Sequence, residues 1–148
     1  GYDPDEAAKI VSLIPMPTHN QRARGTLLVE SDMSVRAEHL VHIIEASMSS
    51  ETYELLKRPD EFFVVNKAHQ NARFAEDVVR QMLFNLVEVY PDLPNESFVL
   101  AREESLESIH RHNAFAERSG LLGDIRAEIR GQAESHRPNI TMEEWLSL

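Results

Sequence analysis

A chain of 148 residues, 42% hydrophobic and 27% charged, has the apolar content of one ordinary globular domain and enough length to bury a core. Its formal charge of −10 argues against general nucleic-acid binding, which needs Lys and Arg to neutralise many phosphates, and leaves only a local basic cluster to meet a small anion. No apolar run approaches the ~20 residues that span a bilayer, no secretory pattern opens the chain and it has no cysteine, so a cytoplasmic protein without a membrane partner is expected.

Asp5 to Leu13 predicts a short helix, with Asp3 or Asp5 near its N-terminus and Pro15 and Pro17 ending it. Arg24 to Glu30, carrying Thr26, Leu27, Leu28 and Val29, predicts a strand. From Ser34 as N-cap, Ala37, Leu40, Val41, Ile44 and Met48 recur at helical spacing and predict one buried stripe. Ser49 to Leu56 predicts a second short helical piece that closes before Pro59, because proline biases the preceding Arg58 away from helical backbone. Asn71 is expected to cap the longest helix, whose face of Ala75, Val78, Val79, Met82, Leu86 and Val89 ends before Pro91.

Phe98 to Arg102 and Ser108 to Phe115 predict two strands joined by an acidic turn, Glu103-Glu104-Ser105. In the tail, Leu121, Ile125 and Ile129 predict an amphipathic helix suited to docking or oligomer contact, and Thr141 with Glu144 forms a capping box before Trp145. A strand, paired helices and two returning strands make an α+β sandwich with helices on one face of an antiparallel sheet. The unpaired edges of such a sheet are association surfaces, so a homo-oligomer, a partner chain or both are expected.

His110 and His112 lie one residue apart in a predicted strand, which would project both imidazoles to the same side, a geometry suited to a metal. A lone His-x-His is more often a surface pair, so its weight depends on other potential ligands. These are His19 in Thr18-His19-Asn20-Gln21-Arg22, Glu61 after Lys57-Arg58-Pro59-Asp60, and Glu76 in Arg73-Phe74-Ala75-Glu76-Asp77. Among the basic residues of these blocks, Arg22 and Lys57 share a motif with a potential ligand and are the ones expected at a phosphate. His39 and His42, three apart on a predicted helix, lack the third ligand of a helical zinc motif and read as ordinary flanking histidines.

These four blocks, in this order, resemble the type IB GTP cyclohydrolases. The Pro-x-x-Thr-His-Asn-Gln-Arg and Ser-Met-Ser-Ser-Glu spellings are most similar to the archaeal enzymes of the methanopterin pathway. The resemblance runs from about Asp5 to Glu117, and makes residues 1–120 similar to the C-terminal half of such an enzyme, with 121–148 a helical tail. It implies the tunnelling fold, in which ββααββ-like units join through their sheets into barrels with active sites at the joints. It implies one divalent metal per site, Fe(II) first and Zn(II) or Mn(II) next, held by a cysteine, a histidine, a glutamate and a histidine. Carried over by motif, the ligands are His19, Glu61 and one of the His110/His112 pair, with His110 placed on the metal and His112 on acid-base work. The cysteine is left to an N-terminal half on the same or a separate polypeptide.

For Glu76 the resemblance implies an anchor for the N–H edge of a purine or pterin; the plain alternative is a helical pair with Arg80 at i+4. The implied reaction converts GTP to 7,8-dihydroneopterin 2′,3′-cyclic phosphate and formate, the first step of tetrahydromethanopterin biosynthesis. A folate-branch enzyme making the triphosphate, and a non-catalytic subunit that binds a purine or pterin, are the alternatives.

Overall fold

A computed structural model of the chain describes residues 3–14, 20–132 and 140–147. Pro15, Pro17 and His19 therefore lie outside the described residues. The first helix, α1 (Pro4–Ser12), starts as expected: Asp3 is its N-cap and its Oδ1 accepts from the Asp5 N–H at 3.1 Å.

Three antiparallel strands form one sheet in the order β1 (Arg22–Glu30), β2 (Phe98–Leu106), β3 (Ala114–Leu121). Gly25 pairs with Glu103, which pairs in turn with Ala116. Because side chains alternate across a strand, Leu27, Val99 and Ala101 share one face, where they are buried under the helices. The middle strand runs straight through Glu103, Glu104 and Ser105, where the sequence suggested a turn. Ladder pairing on both sides outweighed the weak strand preference of consecutive glutamates, a local tendency that tertiary context commonly overrides.

Two helices cover that face. In α2 (Ala37–Ser47) the buried positions are Ile43 and Ser47, and Leu40, Ile44 and Met48 pack partly against the core. Val41, expected on the stripe, points outward at 53% exposure, and the N-cap is Arg36 rather than Ser34. The Tyr90 hydroxyl accepts from the Arg36 N–H at 3.0 Å and so caps the helix from across the fold. The longest helix, α4 (Ala75–Val89), buries Val78, Val79, Met82, Leu83 and Leu86, which matches the expected stripe except that Leu83 joins it and the outermost Ala75 and Val89 are not buried. Gly25 gives room for this layer: a Cβ there would collide with Ile44 Cγ2 and come within 2.7 Å of Met48 Cε.

The segment between these helices departs most from expectation. Ser49 to Leu56 is not helical, and a 13-residue helix, α3 (Arg58–Gln70), starts at the proline that was expected to end one. Proline in the first turn has no N–H to lose and its fixed φ suits a helix start, while Asp60 Oδ2 accepts from the Lys57 N–H at 3.0 Å. Asn71 ends α3 instead of starting α4; its Nδ2 donates to the carbonyl oxygens of Met48 and Ser49. Arg73 likewise donates to the carbonyls of Ala46 and Ser47, placing a cation at the negative end of α2. Lys67 binds Glu51, and that bond is the main reason the Glu51 carboxyl is held down at about 2.

After β3, α5 (Leu122–Ile129) folds back and adds Leu122 and Ile125 to the core. Arg126 fixes it by donating to the carbonyls of Leu93 at 2.8 Å and Pro91 at 2.6 Å. The short α6 (Met142–Leu146) begins with the expected capping box, and Trp145 covers Phe98 on the far side of the sheet, with ring centroids 5.8 Å apart. Within the described residues this is an α+β layer of helices on a three-stranded antiparallel sheet, and no helix among them is long and apolar enough to cross a membrane.

Candidate functional site

One end of the sheet brings together Arg22 and the His110/His112 pair. β1 begins there at Arg22, opposite Leu106 at the end of β2, and the connection from β2 to β3 crosses the same edge. That connection, residues 107–113, carries His110 and His112. They are therefore in a loop and not in a strand, because β2 takes the length up to Leu106 and β3 starts only at Ala114. The loop still brings the rings together: their centroids are 5.8 Å apart and their planes within 27° of parallel. Both are exposed and make no hydrogen bond to other described residues, so their ring nitrogens are available to a ligand.

Short polar contacts hold the loop. Gln21 Nε2 donates to Glu107 Oε1 at 2.9 Å, and Asn113 both accepts from the Glu107 N–H and donates to Glu104. Gln21 follows His19 by two positions in the sequence, so the first motif and the last meet across the end of the sheet.

Glu76 sits in the first turn of α4, where the positive end of the helix favours a carboxylate. It does not pair with Arg80, which binds Asp77 instead at 2.7 Å. Its carboxylate makes no hydrogen bond or ion pair with other described residues, and it lines a cleft of about 710 Å³ between α4, β3 and α5, a volume within the range of small-molecule sites.

Glu61 and Lys57 share the start of α3, one turn apart, joined by the Glu61 N–H to Lys57 carbonyl bond at 2.9 Å. Among the described residues no three His, Asp or Glu side chains converge in a way that would hold a metal ion. Glu61 is thus not gathered with His110 and His112 into a three-ligand group, while His19 lies outside the described residues.

The sequence reading missed Glu103. Its side chain shares the covered face with Val99 and Ala101 and is only 3% exposed. Ser105 donates to Oε1 at 3.0 Å, and Oε2 is buried with no partner among the described residues. Burial pushes the carboxyl above the ordinary range, Ser105 pulls it back, and Glu107, Glu104 and Glu76 push it up further. The available signal was the alternation from Phe98 onward, which puts Glu103 in step with Val99 and Ala101 once the acidic triplet is read as strand.

This carboxyl makes a pH-dependent contribution. Its folded-state pKa lies above its unfolded value, so the favourable state is complete below the unfolded pKa and is lost as pH rises through the folded one. Glu103→Gln has no proton to lose, so its stability relative to the wild type is expected to increase between about pH 5 and about pH 8. Urea midpoints of both proteins at the two pH values measure this, and a constant difference would show that Glu103 ionises without cost.

The chain belongs to the type I GTP cyclohydrolase folE2 family, whose model matches residues 6–116. Within it, the chain is similar to the GTP cyclohydrolase MptA of Methanosarcina barkeri, with 48% identity over 131 residues, 87% of this chain and 41% of that protein. It is also 47% identical over 129 residues to GTP cyclohydrolase MptA of Methanothermobacter thermautotrophicus, and 50% identical over 124 residues to GTP cyclohydrolase MptA 1 of Methanocella arvoryzae. These matches cover 86% and 82% of this chain and 41% and 39% of those relatives, so the chain spans about two-fifths of their length.

Proposed function

We propose that this chain forms the base-binding and proton-transferring part of a cytoplasmic GTP cyclohydrolase that makes 7,8-dihydroneopterin 2′,3′-cyclic phosphate and formate for tetrahydromethanopterin biosynthesis. The observation that carries the reading is Glu76: a carboxylate with no partner among the described residues, at a helix start and lining a cleft, in a chain of this family. A carboxylate with two acceptor oxygens matches the adjacent N1–H and N2–H donors of guanine. Arg22, beside the histidine loop, and Lys57, at the start of α3, supply cations for the phosphates. His112 carries protons to and from the imidazole ring as it opens, a role suited to a side chain with one ring nitrogen that donates and one that accepts.

The reading includes one divalent metal, held by His19, Glu61 and His110 and completed by a cysteine from the rest of a longer enzyme. The donor chemistry fits, since imidazole, carboxylate and thiolate together suit Fe(II) or Zn(II), and Mn(II) favours the carboxylate. The imidazoles of His110 and His112, close together and with no hydrogen bond to other described residues, support it; the missing convergence of three ligands among the described residues leaves other segments to close the set. When bound, such a metal would supply an activated water for attack at C8 of the base. Unit-to-unit association through the sheets, as in the tunnelling fold, would bring those segments together in a homo-oligomer.

A second reading is a subunit that binds a purine or pterin without turning it over. A folate-type product, the triphosphate, is the other variant. Anaerobic incubation with GTP and Fe(II), scoring formate and the pterin formed, separates them. Turnover is expected once a segment bearing the cysteine is joined to this chain. Tight GTP binding with no formate under either condition would leave the binding subunit, and the phosphate pattern of any pterin identifies the branch.

A further inference from the structure

Helix α5 lies beyond the residues that the family model matches, yet it forms one side of the cleft that contains Glu76. It is a fixed wall. Leu122 and Ile125 root it in the core at 0% and 1% exposure, Arg126 ties it to the loop after α4, and Glu128 accepts from Arg118 Nε at 3.2 Å. Two large apolar side chains remain open in the same cleft, Ile129 on α5 at 39% exposure and Phe84 on α4 at 45%.

The charges of the cleft show what it can take. Arg80 is paired with Asp77 and Arg118 with Glu128, and Arg73 donates to the carbonyls of Ala46 and Ser47, so each guanidinium already has acceptors. Glu76 alone lacks a partner among the described residues. The unmet chemistry is therefore one carboxylate and an apolar wall, which complements an uncharged ligand with N–H donors at one edge. Phe84 follows Glu76 by eight residues, about 12 Å along the helix, so a ligand anchored at Glu76 must extend beyond its donor edge to reach Phe84 and α5.

We infer that α5 reads the sugar side of a purine nucleoside: the base lies with its N–H edge on Glu76, and Ile129 with Phe84 contacts the far part of the molecule. The cleft thereby prefers a nucleoside to a bare base. This assignment rests on the anchoring role proposed for Glu76.

Calorimetric titration with guanosine and with guanine tests it, using the wild type, Ile129→Ala, Glu76→Gln and, as a control on the exposed end of α5, Arg130→Ala. Ile129→Ala is expected to weaken guanosine about fivefold to tenfold as its apolar surface is removed from the ligand, and guanine less than about twofold. Glu76→Gln should weaken both ligands, and Arg130→Ala neither. Unchanged guanosine affinity in Ile129→Ala, or equal loss for both ligands, overturns the role of α5 while Glu76 keeps its own result. No effect of Glu76→Gln on either ligand removes the anchor, and the α5 assignment with it. Because Ile129 is partly exposed, its replacement should leave the thermal midpoint within a few degrees of wild type, so that weaker binding reports on the ligand and not on unfolding.

Discussion

Glu76→Gln is expected to weaken GTP binding about a hundredfold, measured by calorimetry, with thermal stability unchanged. The carboxylate offers two acceptors to two adjacent donors; the amide offers one acceptor and sets an N–H₂ group against an N–H donor. Losing one hydrogen bond to a charged group and creating a donor–donor clash in a cleft costs about 3 kcal/mol, a little over a hundredfold in Kd. Stability should not follow, because Glu76 is exposed and makes no ion pair or hydrogen bond with other described residues. An affinity within twofold of wild type would place the base elsewhere and remove the main support for the cyclohydrolase reading of this cleft.

The second large effect concerns the core. Ile43→Ala is expected to cost about 2–5 kcal/mol of unfolding free energy, and Val41→Ala no more than about 0.5 kcal/mol. Ile43 is 2% exposed and belongs to the cluster with Leu27, Met82 and Leu86, so its removal leaves a cavity lined by α4 and the sheet. Val41 is 53% exposed and has little packing to lose. Urea unfolding of both variants measures the difference. Equal losses would mean that α2 is rotated from the orientation described, with Val41 and not Ile43 turned to the core.

These two residues show how far the sequence could be read. Helical spacing at 37–48 identified the helix, but Val41 and Ile43 are both aliphatic and two apart, so the pattern admits either face. The choice is made by what the helix meets: Gly25 opens the sheet surface to Ile44 and Met48, and Arg73 and Asn71 bind the carbonyls that end the helix and follow it. Pro59 was open to two meanings for the same reason. Proline is compatible with both the end of one helix and the first turn of the next, and the Asp60 carboxylate on the Lys57 N–H selects the second.

Local sequence was enough for α1, β1, α2, α4 and α5 as elements, the apolar face of α4, the caps at Asp3 and Thr141, and the four blocks whose order marks the family. Those features depend on local periodicity, on side chains bonding their own neighbouring backbone, or on residues in a fixed order. Only the packed chain shows that β2 runs through the acidic triplet, that Glu103 is buried, that His110 and His112 sit in a loop beside Gln21, and that α5 walls the Glu76 cleft. Each of these depends on pairing between separate segments, such as Gln21 with Glu107, 86 residues apart, or Arg102 with Glu117. Such pairings are set by the shared sheet register and core packing, to which no single segment's pattern holds the key.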